Sequence, residues 1–208
     1  MKFSIGVFCS IFFLIAISSC HQSEKIVENE ETHLVPLNYE PTELSEKGDF
    51  VYDLGEMIEV QLDNGEKIKV GNNSFEFRLL QFLDNPNEEI INHSTLGWMT
   101  LDQIGFYENQ VKLTPSTLAQ LKRLAKILKS YPEFQIKMGA FTSDEDFDQD
   151  QLAAILKQFT AILTQKGISA ARIQTQVFGN VQQVCPSNDT PACQAQNRRF
   201  DVKVWKVN

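Results

Sequence analysis

The sequence predicts an α+β fold: a βαβαβ two-layer sandwich with helices packed on one mixed sheet, preceded by a small β-hairpin/helix module. Three observations predict it. From Leu96 onward, strand-like alternation and helix-like periodicity follow one another in turn. The two periodic segments in that region are long enough to cover one face of a sheet. Residues 50–96 carry two alternating runs around Asn64-Gly65 and then one apolar helical face.

The module comes first. Ile58, Val60 and Leu62 alternate with polar residues, and Ile68 and Val70 resume the alternation after Asn64-Gly65. Asn-Gly is a hairpin signal because both residues tolerate the positive φ of a tight turn. In FEFRLLQFL, residues 75–83, Phe75, Leu79, Phe82 and Leu83 share one helical face, with Asn73 or Ser74 as the cap candidate. DNPNEE then breaks the pattern. In the sandwich, Thr114 is the N-cap candidate and Pro115 suits the first helical position. Leu118, Leu121, Leu124, Ala125 and Leu128 repeat at helical spacing until Tyr131-Pro132 ends the run. Phe134, Ile136 and Met138 alternate as a strand. Leu152, Ile155, Leu156, Phe159, Ile162 and Leu163 form a second helical face, stopped by Lys166-Gly167. Ile173, Thr175 and Val177, then Phe200, Val202 and Val204, read as the last two strands.

The N-terminal residues read as an address. MKFSIGVFCSIFFLIAISSC has a basic start, a short apolar run and small residues before Cys20. Ile-Ser-Ser-Cys resembles a bacterial lipobox, which implies cleavage before Cys20 and a lipid on its thiol. His21 is not the aspartate typical of inner-membrane retention, so the resemblance points to the outer membrane, facing the periplasm. The expected organisation is a signal peptide at 1–19, a lipidated flexible linker at 20–49, the small module at 50–96 and the sandwich at 97–208. The linker follows from composition: residues 21–48 are rich in glutamate and carry no apolar periodicity.

Charge and cysteine use narrow the function classes. The chain has 19 basic and 27 acidic residues, a formal net charge of −8. It repels phosphate backbones, so a nucleic acid partner is not expected. Cys9 falls in the leader and Cys20 at the lipid site, leaving Cys185 and Cys193 in CPSNDTPAC. In an exported chain, two cysteines closing a short proline-containing loop read as a disulfide. A zinc site is the competing reading, but His21, His33 and His93 lie far away in sequence.

The stretch FYENQVKLTPSTLAQLKRLAKILKSYPEFQIKMGAFTS, a helix ending in LTQKGI, then FGNVQQV and NRRFDVKV resembles the OmpA C-terminal-like domain, over about residues 98–206. VYDLGEMIEVQLDNGEKIKV resembles the module that precedes this domain in exported, often lipid-anchored members. The resemblance implies non-covalent binding of peptidoglycan through the diaminopimelate of its stem peptide. That zwitterionic centre needs an anion for its ammonium and a cation for its carboxylate. In the family an aspartate of a G-x-T-D motif and an arginine on the next helix supply them. Here Ser143 stands at the aspartate position and Ile155 at the arginine position. Asp144 is one residue past the first, and Lys157 is turned about 200° from the second. The resemblance therefore nominates Thr142, Ser143, Asp144, Asn197, Arg198 and Arg199 as peptidoglycan ligands. A scaffold role for the Asn-Arg-Arg run is the competing reading.

Residues 139–150, GAFTSDEDFDQD, hold five acids: Asp144, Glu145, Asp146, Asp148 and Asp150. Their alternation is that of the first half of an EF-hand loop, but Gln149 stands at the turn-glycine position and Ile155 at the bidentate glutamate. The expected reading is therefore a solvated loop whose acids complement the following helix dipole. No G-x-S-x-G, H-E-x-x-H or P-loop pattern occurs, so neither catalytic residues, a metal nor a cofactor is expected. Asn72-Asn73-Ser74, Asn92-His93-Ser94 and Asn188-Asp189-Thr190 match the glycosylation pattern by chance in a chain with a bacterial lipobox. Two functions are expected to compete. One is a non-enzymatic cell-wall tether: a membrane anchor joined to a peptidoglycan-binding domain. The other is a degenerate domain kept as a structural or protein-interaction module.

Overall fold

The computed structural model describes residues 50–84, 97–105, 112–144 and 148–207. The leader, Cys20 and the linker lie outside the described residues, as do Phe106–Val111 of the family-like stretch and the acids Glu145 and Asp146. In chain order the elements are β1 (Met57–Gln61), β2 (Lys67–Gly71), α1 (Phe75–Asp84), β3 (Trp98–Thr100), α2 (Pro115–Ser130), β4 (Phe134–Phe141), α3 (Gln149–Gln165), β5 (Ile173–Gly179), α4 (Pro191–Asn197) and β6 (Arg199–Lys206). The architecture is the α+β arrangement the sequence predicts. Helices cover a mixed four-stranded sheet of order β3-β6-β4-β5, and β1-β2 is a separate antiparallel hairpin. β4 runs parallel to β5 and antiparallel to β6.

Local chemistry sets the element ends. Thr114 Oγ1 accepts from the Thr117 N–H at 3.4 Å, capping α2, with Pro115 in the first turn. α3 stops in a Schellman pattern: the Ile168 N–H donates to the Leu163 carbonyl (3.1 Å) and the Gly167 N–H to that of Thr164 (2.9 Å). Of the two cap candidates for α1, Ser74 is the one used, its Oγ accepting from the Phe77 N–H at 3.3 Å. The hairpin forms as the sequence predicts, with Asn64-Gly65 in its turn. The Gly65 N–H donates to the Leu62 carbonyl, and only Gly65 of the Asn-Gly pair takes a positive φ, +83°. Asn64 instead serves as an acceptor for the Glu66 N–H, tying the loop into β2.

The core lies on one face of the sheet. Ile136, Met138 and Ala140 of β4 and Phe200, Val202 and Val204 of β6 face Leu121, Leu124 and Leu128 of α2 and Ile155, Phe159 and Leu163 of α3. Burying each such large side chain is worth roughly 1.5–3 kcal/mol. The hairpin and α1 share this core, through Ile68, Val70, Phe75, Leu79 and Leu83. Polar contacts join them to the sandwich as well. Asp102, just after β3, accepts from the Phe75 N–H at the start of α1 and from Gln120 Nε2 of α2. Its negative charge there complements the positive end of α1. Arg123 of α2 donates to Glu76 of α1 at 2.6 Å, and the Glu76 side chain is fully buried.

Burial raises the Glu76 carboxyl above its ordinary value of 4.5, and the adjacent Arg123 opposes the shift. The folded state therefore holds the proton longer than the unfolded one. The stability this gives is full below about 4.5 and is lost as pH rises through the folded-state value. Arg123→Ala removes the compensating cation. We expect it to cost about 3–5 kcal/mol near neutral pH and clearly less under acidic conditions where Glu76 is protonated. Urea unfolding of the variant and wild type at both pH values measures this; an equal deficit at both would contradict it.

Candidate functional site

Phe141 ends β4, and the chain then turns through Thr142, Ser143 and Asp144. The Thr142 N–H donates to the carbonyl of Gly179 at the end of β5 (2.9 Å), and its Oγ1 accepts from the Asp144 N–H (3.2 Å). Ser143 is only 3% exposed. Its Oγ donates to Asp144 Oδ1 at 3.1 Å and accepts from Arg198 Nη1 at 3.5 Å. Its carbonyl accepts from Asn188 Nδ2 at 2.9 Å. The fold thus brings Thr142–Asp144 and the Asn197–Arg199 run, far apart in sequence, to one end of the sheet.

These six residues divide by what their polar atoms do. Asn197 is fully buried and makes four bonds. Its Oδ1 accepts from the Val184 and Cys185 N–H groups (both 3.0 Å), and its Nδ2 donates to the Cys185 carbonyl and Asn188 Oδ1. Arg199 is buried too. Its guanidinium lies 3.9 Å over the Phe141 ring, donates to Asp201 at 2.8 Å and to the Gln182 carbonyl at 2.9 Å. Burial pushes the Asp201 carboxyl above its ordinary range, against the pull of Arg199. Thr142 spends its hydroxyl on the turn. Asp144 and Arg198 alone among the six carry charges with exposed side chains.

The sheet face opposite the helices supports this end. Phe141 stacks on Phe178 (centroids 4.8 Å apart, planes 2° apart), and Trp98 meets both edge-on. A Cβ on Gly139 would come within 2.9 Å of Phe141 and 3.0 Å of Phe178. The glycine of the family-like strand therefore makes room for an aromatic stack.

Cys185 and Cys193 are bonded, with their Cα atoms 5.2 Å apart, as the sequence predicts. The bond closes a loop onto α4, a helix the sequence reading missed. Thr190-Pro191 repeats the cap-and-proline signature of Thr114-Pro115, and Thr190 Oγ1 accepts from the Cys193 N–H at 3.1 Å. Asn188, which joins the two halves of the site, was also missed as a site residue. Its signal was a Ser-Asn-Asp turn, and it takes a φ of +47°, where asparagine is among the few tolerated residues. The sequon at Asn188 spends its side-chain nitrogen on Ser143.

The acidic stretch does not act as one group. Asp148 caps α3, accepting from the Gln151 N–H at 3.0 Å, and Asp150 sits in its first turn. Both complement the helix dipole. Ile155 is buried in the core and Lys157 is exposed. Among the described residues, no three His, Cys, Asp or Glu side chains gather as a metal site.

No protein-family model matches this chain, and no curated protein matches it in sequence. Solved structures that match part of it include a MotB-like protein from Desulfovibrio vulgaris, at 17% identity over 64% of this chain and 96% of that one, TM-score 0.49. The periplasmic domain of Helicobacter pylori MotB matches at 17% identity over 53% of this chain and 73% of that one, TM-score 0.45. The OmpA-like domain of FopA1 from Francisella tularensis matches at 11% identity over 53% and 75%, TM-score 0.40. The architecture rests on the register of its own strands.

Proposed function

We propose that this chain is a non-enzymatic envelope lipoprotein that tethers the outer membrane to the cell wall. Its OmpA-like domain, facing the periplasm, binds the diaminopimelate of peptidoglycan non-covalently. The observation that carries the reading is the pair of exposed opposite charges, Asp144 and Arg198, joined through Ser143 Oγ. Asp144 takes the ligand ammonium. Arg198 takes the carboxylate and offers a planar fork for it. In this reading Arg198 supplies from β6's approach the cation that Ile155 does not supply from α3. Thr142, Ser143, Asn197 and Arg199 hold the loop rather than touch the ligand. The lipid on Cys20 is the anchor, and a linker over residues 20–49 spans at most about 100 Å.

Charge-assisted hydrogen bonds are worth about 1.5–3 kcal/mol each. Asp144→Ala and Arg198→Ala are therefore each expected to weaken co-sedimentation of the full-length protein with purified sacculi by ~10-fold or more. Rising salt is expected to weaken wild-type binding as well, since both groups are exposed. A wild-type protein that does not sediment with sacculi would refute the tether and leave the interaction-module reading. The anchor has its own test: the mass of the mature N-terminus from membranes should be that of an acylated Cys20, and an unmodified Cys20 would refute lipidation.

A further inference from the structure

We propose that Asn188 is a positioning residue for the ligand loop, and that the Cys185–Cys193 disulfide is the clamp that holds Asn188 in place. This rests on the reading of Asp144 as a ligand contact. The 143–144 peptide is gripped from both sides. Its carbonyl accepts from Asn188 Nδ2 at 2.9 Å, and its N–H donates to Thr142 Oγ1 at 3.2 Å. A peptide plane held at both ends fixes the position of the Asp144 Cα and leaves one backbone rotation, its φ, to aim the Cα–Cβ bond. Asp144 is exposed, and the group that meets its carboxylate, Ser143 Oγ, belongs to the residue on the other side of the same peptide.

Every polar atom of Asn188 is used to make this bridge rigid. Its N–H donates to the Cys185 carbonyl (3.3 Å), and its carbonyl accepts from Gln194 Nε2 (3.2 Å). Its Oδ1 accepts from the buried Asn197 amide (3.1 Å), leaving Nδ2 aimed at Ser143. Cys185 is one end of the loop that the disulfide closes, and Gln194 and Asn197 follow its other end, Cys193, on α4. The left-handed φ of +47° is the conformation that turns the side chain out of this loop and toward the end of β4. Asn197, which holds Asn188, directly precedes Arg198, so the same network fixes the starting point of the cation. One asparagine therefore sets the anion directly and is bonded to the neighbour of the cation.

Asn188→Asp tests this with little risk to folding, because it keeps the acceptor for Asn197 and tolerates the same φ. It replaces the donor to Ser143 with a carboxylate oxygen that the Ser143 carbonyl repels. In the full-length protein we expect the Asp144 amide to exchange ~10-fold faster. Binding to sacculi should fall by a similar factor, with the thermal midpoint that of wild type. The double variant Cys185→Ser/Cys193→Ser should also speed exchange at Asp144. Wild-type exchange at Asp144 in Asn188→Asp overturns the proposal, whether or not binding falls, since a loss of binding alone would make Asn188 a ligand contact. Faster exchange with unchanged binding overturns it too. Unchanged exchange in the double serine variant removes the clamp. If wild type itself does not sediment, the tether reading fails, and exchange at Asp144 alone decides the positioning role.

Discussion

The antiparallel pairing of β4 with β6 places Phe141 opposite Arg199. Everything at the candidate site depends on this register. The residues that follow Phe141 and those that precede Arg199 must leave the sheet side by side. Thr142, Ser143 and Asp144 emerge on one side of that last pair, Asn197 and Arg198 on the other. A slip of one residue would also turn the apolar face of β6 away from α2 and α3. The core thus enforces the register, and the register assembles the site. Phe200, Val202 and Val204 on one face and Arg199 and Asp201 on the other are two readings of the same alternation.

The last pair is locked from the face opposite the helices. The Arg199 guanidinium covers the Phe141 ring, and Phe141 stacks on Phe178 of β5. Arg199 in turn is neutralised by Asp201 within the same strand. Such a buried pair adds little net stability, because desolvation offsets its attraction, but removing one partner is costly. Its effect is to fix where β4 ends. Tyr52, ahead of the hairpin, has its phenol pushed upward chiefly by burial and next by the charge of Asp201. Beyond the pair the structure changes character, from packed rings to a hydrogen-bonded loop whose outermost groups are charged and wet.

Much of this was legible in the sequence because it is local. Thr114-Pro115 and Lys166-Gly167 specify helix ends through neighbouring groups, and the apolar periods of α2 and α3 each need only their own residues. The disulfide was legible because Cys185 and Cys193 close a short loop and no histidine lies near them in sequence. The missing pieces are long-range or short in span. Glu76 and Arg123 are matched across 47 positions, so the joining of α1 to α2 leaves no periodic trace. α4 has seven residues, too few for a period, and only its Thr190-Pro191 cap betrays it. At the site, the dipole reading of the acidic stretch holds for Asp148 and Asp150, which are local to α3, whereas Asp144 meets Arg198, the residue before β6, through Ser143. Asn188 is the plainest case: its role lies in a bond across 45 positions to a carbonyl, and no side-chain pattern can encode a partner that every residue possesses.

The central claim is that Asp144 and Arg198 act together as a receptor for one zwitterion. The most direct measurement is a titration of the isotope-labelled protein with free diaminopimelate, following the Asp144 amide and the Arg198 Nε–H by NMR. Both signals should shift along one binding curve with a single Kd, while the buried Arg199 Nε–H stays still. Signals that do not move, or an Arg199 response larger than that of Arg198, would contradict it.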